Sequence, residues 1–307
     1  VAPALDAGGG PRAAFYAQAL ARACDLYGAM GDKAVAGRGH LQLAHAERDS
    51  RRFAAVAASG VFDPARLLSL DAGQAAARAG QPLDENALLF VDSLVIRPQA
   101  ILQAWLSAAT TQRATVAQLE HVHGAWRLWD REERLIAETD AVCIAAGIES
   151  RALDGGLVLL PVRGQASWTA EARLNTAIAW GGYAAPFDGG LVFGATHDRE
   201  REDCDLSPLD HGRNLASLAE VLPAMAAGID PEGLQGRAEI RAATPDRMPL
   251  AGALNRNGLY VLGGLGSRGF TTAPVLGEHI AADICGAPSP LPADVRALLD
   301  PRRVSAV

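Results

Sequence analysis

From Pro11 onward, Phe15, Ala19, Leu20, Ala23 and Leu26 recur at three- and four-residue intervals, which predicts an amphipathic helix ended by Gly28 and Gly31. Behind it the period changes. Residues 39–44 alternate as a strand does, Asp63 and Pro64 open a predicted helix over 63–68, residues 71–80 predict another, and 87–95 return to strand. Pro98 introduces a helix over 99–108. Residues 115–119 and 126–129 give two strands around a turn at His123 and Gly124, and the apolar run 141–146 predicts a buried strand that Gly147 stops.

Short strands dominate 157–196, with Asp188, Gly189 and Gly190 as the hairpin turn between 183–186 and 191–194. A helix over 210–222 runs up to Pro223, and 237–240 is strand-like. The last segment reads as strand (259–262), glycine-rich loop (263–269) and helix (271–285), with Thr271 or Thr272 as the cap and Pro274 in the first turn. Helix-bearing and strand-rich stretches alternate without a linker. That predicts a mixed α/β protein of two domains threaded through one another.

Composition narrows the class. A chain of 307 residues that is 49% hydrophobic and 21% charged can bury a substantial core, which excludes a disordered or fibrous protein. No apolar run approaches the ~20 residues of a membrane span. The net charge of −7 argues against general binding to a phosphate backbone but leaves room for a local basic patch on RNA. Cys24, Cys143, Cys204 and Cys285 are scattered without a CxxC pair, which points to a reducing, cytoplasmic compartment.

Candidate chemistry gathers near the carboxyl end. Gly264-Leu265-Gly266-Ser267-Arg268-Gly269 fits GxGxxG between a predicted strand and helix. A dinucleotide fingerprint also needs a following strand with an acid about 20 residues on, whereas here a Pro-rich tail follows Gly286. Three readings stay open: a dinucleotide loop, a plain tight turn, and a loop whose missing side chains let its backbone approach another part of a cofactor. Ala146 and Gly147 end an apolar strand in the same way. If both strands lie in one parallel sheet, they border the end at which α/β folds bind ligands.

Arg241 stands before the turn-rich stretch 243–250 and is either a surface charge or a carboxylate clamp. Arg268, a long cation among glycines, points toward a ligand, and Arg163-Gly164-Gln165 after Pro161 marks a tight strand entry without an assigned purpose. His121 and His123 would share a strand face but lack a third ligand at metal spacing, so no metal is expected. Ser267 has no GxSxG surround, which argues against a hydrolase triad, and the five tryptophans are expected in cores.

Together these residues resemble a family. Gly258-Leu259-Tyr260-Val261 followed by the loop and Phe270-Thr271-Thr272-Ala273-Pro274, with 40–44, 161–165, 193–199 and 241–250 in the same order, is similar to the C-terminal FAD-dependent oxidoreductase domain of the MnmC family of bifunctional tRNA methylaminomethyl-thiouridine biosynthesis proteins. That family falls in the wider D-amino-acid-oxidase-like group, and the resemblance covers essentially the whole chain.

It implies a two-domain fold in which an FAD-binding domain (1–36, 97–156 and 236–307) interleaves with an antiparallel-sheet substrate domain (37–96 and 157–235). The cofactor implied is FAD. Gly264, Leu265, Gly266, Ser267, Arg268, Gly269, Phe270 and Thr271 would lie over the flavin, Ala146 and Gly147 near its dinucleotide portion, and Val116 at the adenine. Arg241 would hold a substrate carboxylate with Arg268 nearby, these two being the implied catalytic residues. The implied reaction oxidises the C–N bond of a carboxymethylaminomethyl group on the wobble uridine of tRNA, leaving an aminomethyl nucleoside for a methyltransferase domain or partner.

The resemblance departs at the start. Such proteins begin with a strand, the true GxGxxG, a helix and a second strand ending in an acid, and the residues from Val1 match the segment after that unit. A cradle for the pyrophosphate and ribose is therefore not expected, which bears on FAD binding by this chain. A glycine- or D-amino-acid-oxidase-like flavoenzyme and a non-catalytic remnant unable to bind FAD are the alternative expectations.

Overall fold

The first helix follows from its sequence: Pro11 pre-sets φ in the opening turn of α1 (Gly10–Gly28), and Phe15, Ala19, Ala23 and Tyr27 are wholly buried along one stripe. The structure, a computed structural model, describes residues 1–199 and 201–304. Residue 200 of the expected substrate segment and residues 305–307 of the expected cofactor segment lie outside the described residues.

After α1 come β1 (Val35–Leu43), α2 (Asp49–Ala58), β2 (Leu67–Leu70), α3 (Ala72–Ala79), β3 (Ala87–Ile96) and α4 (Pro98–Leu106). Next are β4 (Gln118–Val122), β5 (Ala125–Trp129), β6 (Leu135–Thr139), β7 (Val142–Ile144), α5 (Ser150–Leu153) and β8 (Leu160–Thr169). Then follow β9 (Ala177–Ala179), β10 (Tyr183–Phe187), β11 (Gly190–Gly194), β12 (Asp198–Arg199), α6 (Pro208–Ala219) and α7 (Pro223–Ala227). The chain ends with β13 (Gln235–Ala243), β14 (Leu250–Ala253), β15 (Leu259–Gly263), α8 (Gly269–Cys285) and α9 (Ala293–Leu299). Among the described residues no helix is long and apolar enough to cross a membrane.

Two compact units emerge, Val1–Ile101 with Arg163–Ile240, and Leu102–Val162 with Arg241–Val307. Residues 1–36, expected alongside the cofactor segments, belong to the first unit. That unit is built on a nine-stranded sheet of order β12-β8-β11-β10-β9-β1-β3-β2, with β13 also pairing β8. Strand alternation feeds both faces: Leu89 of β3 packs with Ala75 and Ala79 of α3 and Leu218 of α6, whereas Leu88 and Phe90 pack with Leu20 of α1 and Val56 of α2. Asp188 and Gly189 make the two-residue turn between Phe187 and Gly190, as the sequence predicts.

One buried cation organises the first unit's polar interior. Arg163 is fully buried, and its guanidinium donates to the Asp210 carboxylate (2.7 Å) and to the carbonyls of Asp203 and Asp205. Its neighbour Gln165 exchanges hydrogen bonds with the backbone of Ser207. The Asn214 amide donates to the Gln165 carbonyl and the Ser167 hydroxyl, which also meets His211 Nδ1 at 2.8 Å. Burial pushes the His211 imidazole below its usual pKa.

Four sequence expectations fail here. Asp63 and Pro64 do not start a helix: the Asp63 carboxylate accepts from Ala65 N–H and its carbonyl from Arg66 and Leu67 N–H, a single closed turn before β2 pairs with β3. The apolar run 141–146 is not fully buried, because β7 is the last strand of the order β14-β15-β7, and Cys143, Ala145 and Ala146 are exposed. His123 does not share a strand face with His121; it sits in the β4–β5 turn at φ +52°. Trp126 is a core residue as expected, with its indole N–H on the Asn257 carbonyl, but Trp105 is 43% exposed.

Candidate functional site

The second unit's three-stranded sheet brings the two glycine-bearing strand ends together. β15 pairs with β7 in parallel, Leu259 opposite Val142 and Val261 opposite Ile144, so Gly263-Gly264 and Ala145-Ala146-Gly147 leave the sheet from the same end. β14 runs antiparallel on the other side of β15. The helix α8 packs on β14 and β15, with Val275, Leu276 and Ile280 buried. Carboxyl ends of parallel strands are where α/β sheets present ligand sites.

The loop is fixed by the end of β13. Gly266 N–H donates to the Ala242 carbonyl (2.9 Å), and Ala243 bridges Leu265, so the strand that carries Arg241 is stitched to the glycine loop. Arg241 is half-buried and, two positions from Ala243, projects from the same face of β13. At Gly264, φ is +63° and a Cβ would lie 2.7 Å from the Thr244 methyl, so only glycine brings the two chains this close. Gly266, at φ +55°, has open space where a Cβ would point.

Helix α8 begins at Gly269, with Arg268 as its N-cap. Thr271 and Thr272 are therefore not the cap: both sit inside the first turn, and the Thr272 hydroxyl donates back to the Arg268 carbonyl (3.1 Å). Arg268 is half-buried, while Ser267 and Phe270 at the loop's outer rim are exposed.

A second clamp holds β13 beyond Arg241. The Thr244 hydroxyl donates to the Met248 carbonyl (2.7 Å), and the Asp246 carboxylate accepts from Met248 N–H (3.0 Å) and from Arg303 Nε (2.7 Å). Burial raises the Asp246 pKa, but hydrogen bonds from Arg303, Met248 and Thr244 outweigh it and bring the carboxyl down to about 2. Thr244, Asp246 and Arg303 receive no role from sequence alone. For Arg303 the signal is absent, because it stands 57 positions from Asp246 in a tail that reads as surface.

At the other strand end, Gly147 has φ +60° and nothing within 4 Å of its Cβ position. Close behind it, Ser150 is fully buried and its hydroxyl has no hydrogen-bond partner among the described residues. Val116 is not gathered to these strand ends by the β14-β15-β7 sheet; it is half-buried two residues before β4, on the separate sheet β4-β5-β6. Among the described residues no group of three His, Cys, Asp or Glu side chains could hold a metal.

Open backbone at Gly147 and Gly266, a close-packed glycine at 264, a half-buried guanidinium and an unsatisfied buried hydroxyl fit a planar cofactor with a polar arm. Residues 3–283 match the family described as FAD dependent oxidoreductase, and the chain belongs to that family. It is similar to the tRNA 5-methylaminomethyl-2-thiouridine biosynthesis bifunctional protein MnmC of Caulobacter sp. (strain K31), 48% identical over 99% of this chain and 51% of the relative. The protein of the same name from Caulobacter vibrioides is 48% identical over 97% of this chain and 49% of the relative.

The chain thus spans about half the length of the curated relatives it matches. Among solved structures, glycine oxidase from Geobacillus kaustophilus superposes with a TM-score of 0.78 at 20% identity, over 94% of this chain and 83% of that one. L-proline dehydrogenase from P. horikoshii gives 0.78 at 18% identity, over 93% and 82%. The expected fold, mixed α/β and D-amino-acid-oxidase-like, is the fold observed.

Proposed function

We propose that the chain carries out the FAD-dependent removal of the carboxymethyl group from carboxymethylaminomethyl-(2-thio)uridine at the tRNA wobble position. The observation that carries this reading is the hydrogen-bonded junction of the Arg241 strand with the glycine loop. Arg241 offers a planar fork of donors that matches a carboxylate, and holding the substrate by that group orients the neighbouring methylene. The side-chain-free backbone at Gly266 admits a flat ring, Gly264 lets the loop pack against Thr244, and Phe270 and Thr271 carry the loop into α8. Gly147 and the Ser150 hydroxyl would receive a polar part of the cofactor.

FAD, when bound, supplies the hydride acceptor for the methylene carbon beside the carboxylate, leaving a C=N bond that water splits to release glyoxylate and an aminomethyl nucleoside. Arg268, at the amino end of α8, adds positive charge on the carboxylate side of the loop. A methyltransferase, as a further domain or a partner, would consume the aminomethyl product. Such a reaction belongs in the cytoplasm, and the four unpaired cysteines agree with a reducing compartment.

The test is reconstitution. Purified chain given FAD is expected to take up flavin absorbing near about 450 nm and to convert the nucleoside in tRNA, read by mass spectrometry of digested tRNA. Arg241→Met is expected to raise KM for the carboxylate-bearing substrate about 100-fold with a smaller change in kcat. Failure to take up flavin would overturn the proposal, and turnover of glycine or sarcosine with tRNA untouched would replace the substrate by a small amino acid.

A further inference from the structure

The first unit holds a cavity of about 720 Å³, within the size range of small-molecule sites, and no residue of the glycine loop lines it. Its wall runs from α1 across β3 to the turn before β2. Leu20, Phe62 and Phe90 make an apolar floor, with Phe62 edge-on to Phe90 at 5.3 Å between ring centres. Cys24 adds no charge there, since burial pushes its thiol up to about 11. Set into the same wall, Ser93 is fully buried and its hydroxyl has no hydrogen-bond partner among the described residues. A buried hydroxyl left unsatisfied beside a cavity is a position at which a ligand's polar group gains a bond that the protein alone does not supply.

The mouth is charged in a particular way. Arg66 and Asp92 pair with each other, and the Asp63 carboxylate already accepts from Ala65 N–H. Two exposed charges remain without a hydrogen bond or ion pair among the described residues, Arg38 and Asp25. Both stand at the last turn of α1: Asp25 is three positions before Gly28, and the Arg38 guanidinium lies 3.9 Å from where a Gly28 Cβ would be. One unpaired cation and one unpaired anion at the same lip, over an aromatic floor, match a molecule that carries both charges at one end of an apolar body.

We propose that this cavity is a second small-molecule site for a zwitterion with an apolar side chain, the α-amino acid class. Its carboxylate meets Arg38, its ammonium meets Asp25, and its side chain covers Phe62 and Phe90. The proposal does not depend on the flavin reading, and its test uses Arg241→Met as the parent so that carboxylate binding at that residue makes no contribution. Calorimetry with phenylalanine, phenethylamine and 3-phenylpropionate should show phenylalanine binding at least about tenfold more tightly than either one-charge analogue. Arg38→Met should lower phenylalanine to the level of phenethylamine and Asp25→Asn to that of phenylpropionate, with circular dichroism unchanged because both residues are exposed. Equal affinity for all three ligands, no phenylalanine binding below about 10 mM, or affinity indifferent to either substitution would overturn it.

Discussion

Two arginines that look alike in sequence, each at a strand and close to glycine or proline, have opposite environments. Arg163 in the first unit is sealed from solvent and bonded to Asp210 and to the backbone of 203 and 205. Arg241 in the second unit is half-buried and borders a loop with two glycines at positive φ. Around Arg163 the buried polar groups close on one another, so that Gln165, Ser167, Asn214 and His211 form a connected set. Around the β7 and β15 strand ends of the second unit, Ser150 has no hydrogen-bond partner among the described residues and backbone is open at Gly147 and Gly266. A buried cation held on every side specifies the fold, whereas the open space at Gly266, on the loop stitched to the Arg241 strand, leaves room for a ligand.

The comparison breaks first at Arg163. Arg163→Met leaves Asp210, itself 1% exposed, without its nearest cation, and should cost about 3–5 kcal/mol in urea unfolding. Arg241→Met should cost less, about 1 kcal/mol in the same assay, because Arg241 is only half-buried. Equal losses at the two positions would erase the distinction. Next in size is Gly264→Ala, which combines a left-handed φ with a contact of 2.7 Å to the Thr244 methyl and should cost about 2–3 kcal/mol. Gly266→Ala meets nothing within 4 Å and should cost only the backbone strain, about 1 kcal/mol. Flavin uptake should fall for Gly266→Ala despite that smaller loss, since the added methyl points into the open space.

What the sequence made legible was local. The helix expected over 71–80 forms as α3, held by an Asp71–Gln74 capping box and a left-handed stop at Gly80, and the expected hairpin turns at Asp188-Gly189. The glycine pattern at 146–147 and 263–269 marked two strand ends, because tight turns need φ values that other residues avoid, and the structure joins them as the parallel pair β7 and β15 of a mixed sheet. Asp63-Pro64 misled since an Asx turn and a helix start share the same first residues, and only the pairing of Leu67–Leu70 with β3 separates them. The run 141–146 misled for a related reason: an apolar strand reads as buried whether its sheet has neighbours on one side or two. Arg303 on Asp246 and the unsatisfied Ser150 leave no local trace at all, as both depend on which distant segments fold against them.

The smallest effect concerns acid. Asp246 titrates at about 2 in the folded chain against an ordinary 3.8, so its bonds to Arg303 and Met248 stabilise the native state fully above the ordinary value. That contribution is lost as pH falls through about 4 toward 2, because the depressed carboxylate then takes up a proton it holds more weakly folded than unfolded. With the side chain 41% exposed, solvent screening keeps the contribution to about 1 kcal/mol or less. Asp246→Asn should therefore lower the urea midpoint at neutral pH and lose that deficit near pH 2. A deficit that stays constant between these pH values would show that the clamp on β13 works through shape, with the Asp246 charge contributing nothing. Since Asp198 and Asp203 around Arg163 are also held low, mainly by hydrogen bonds from Arg213 and Arg201, the wild-type acid transition reports both units, and only the difference between the two chains isolates the turn beside the glycine loop.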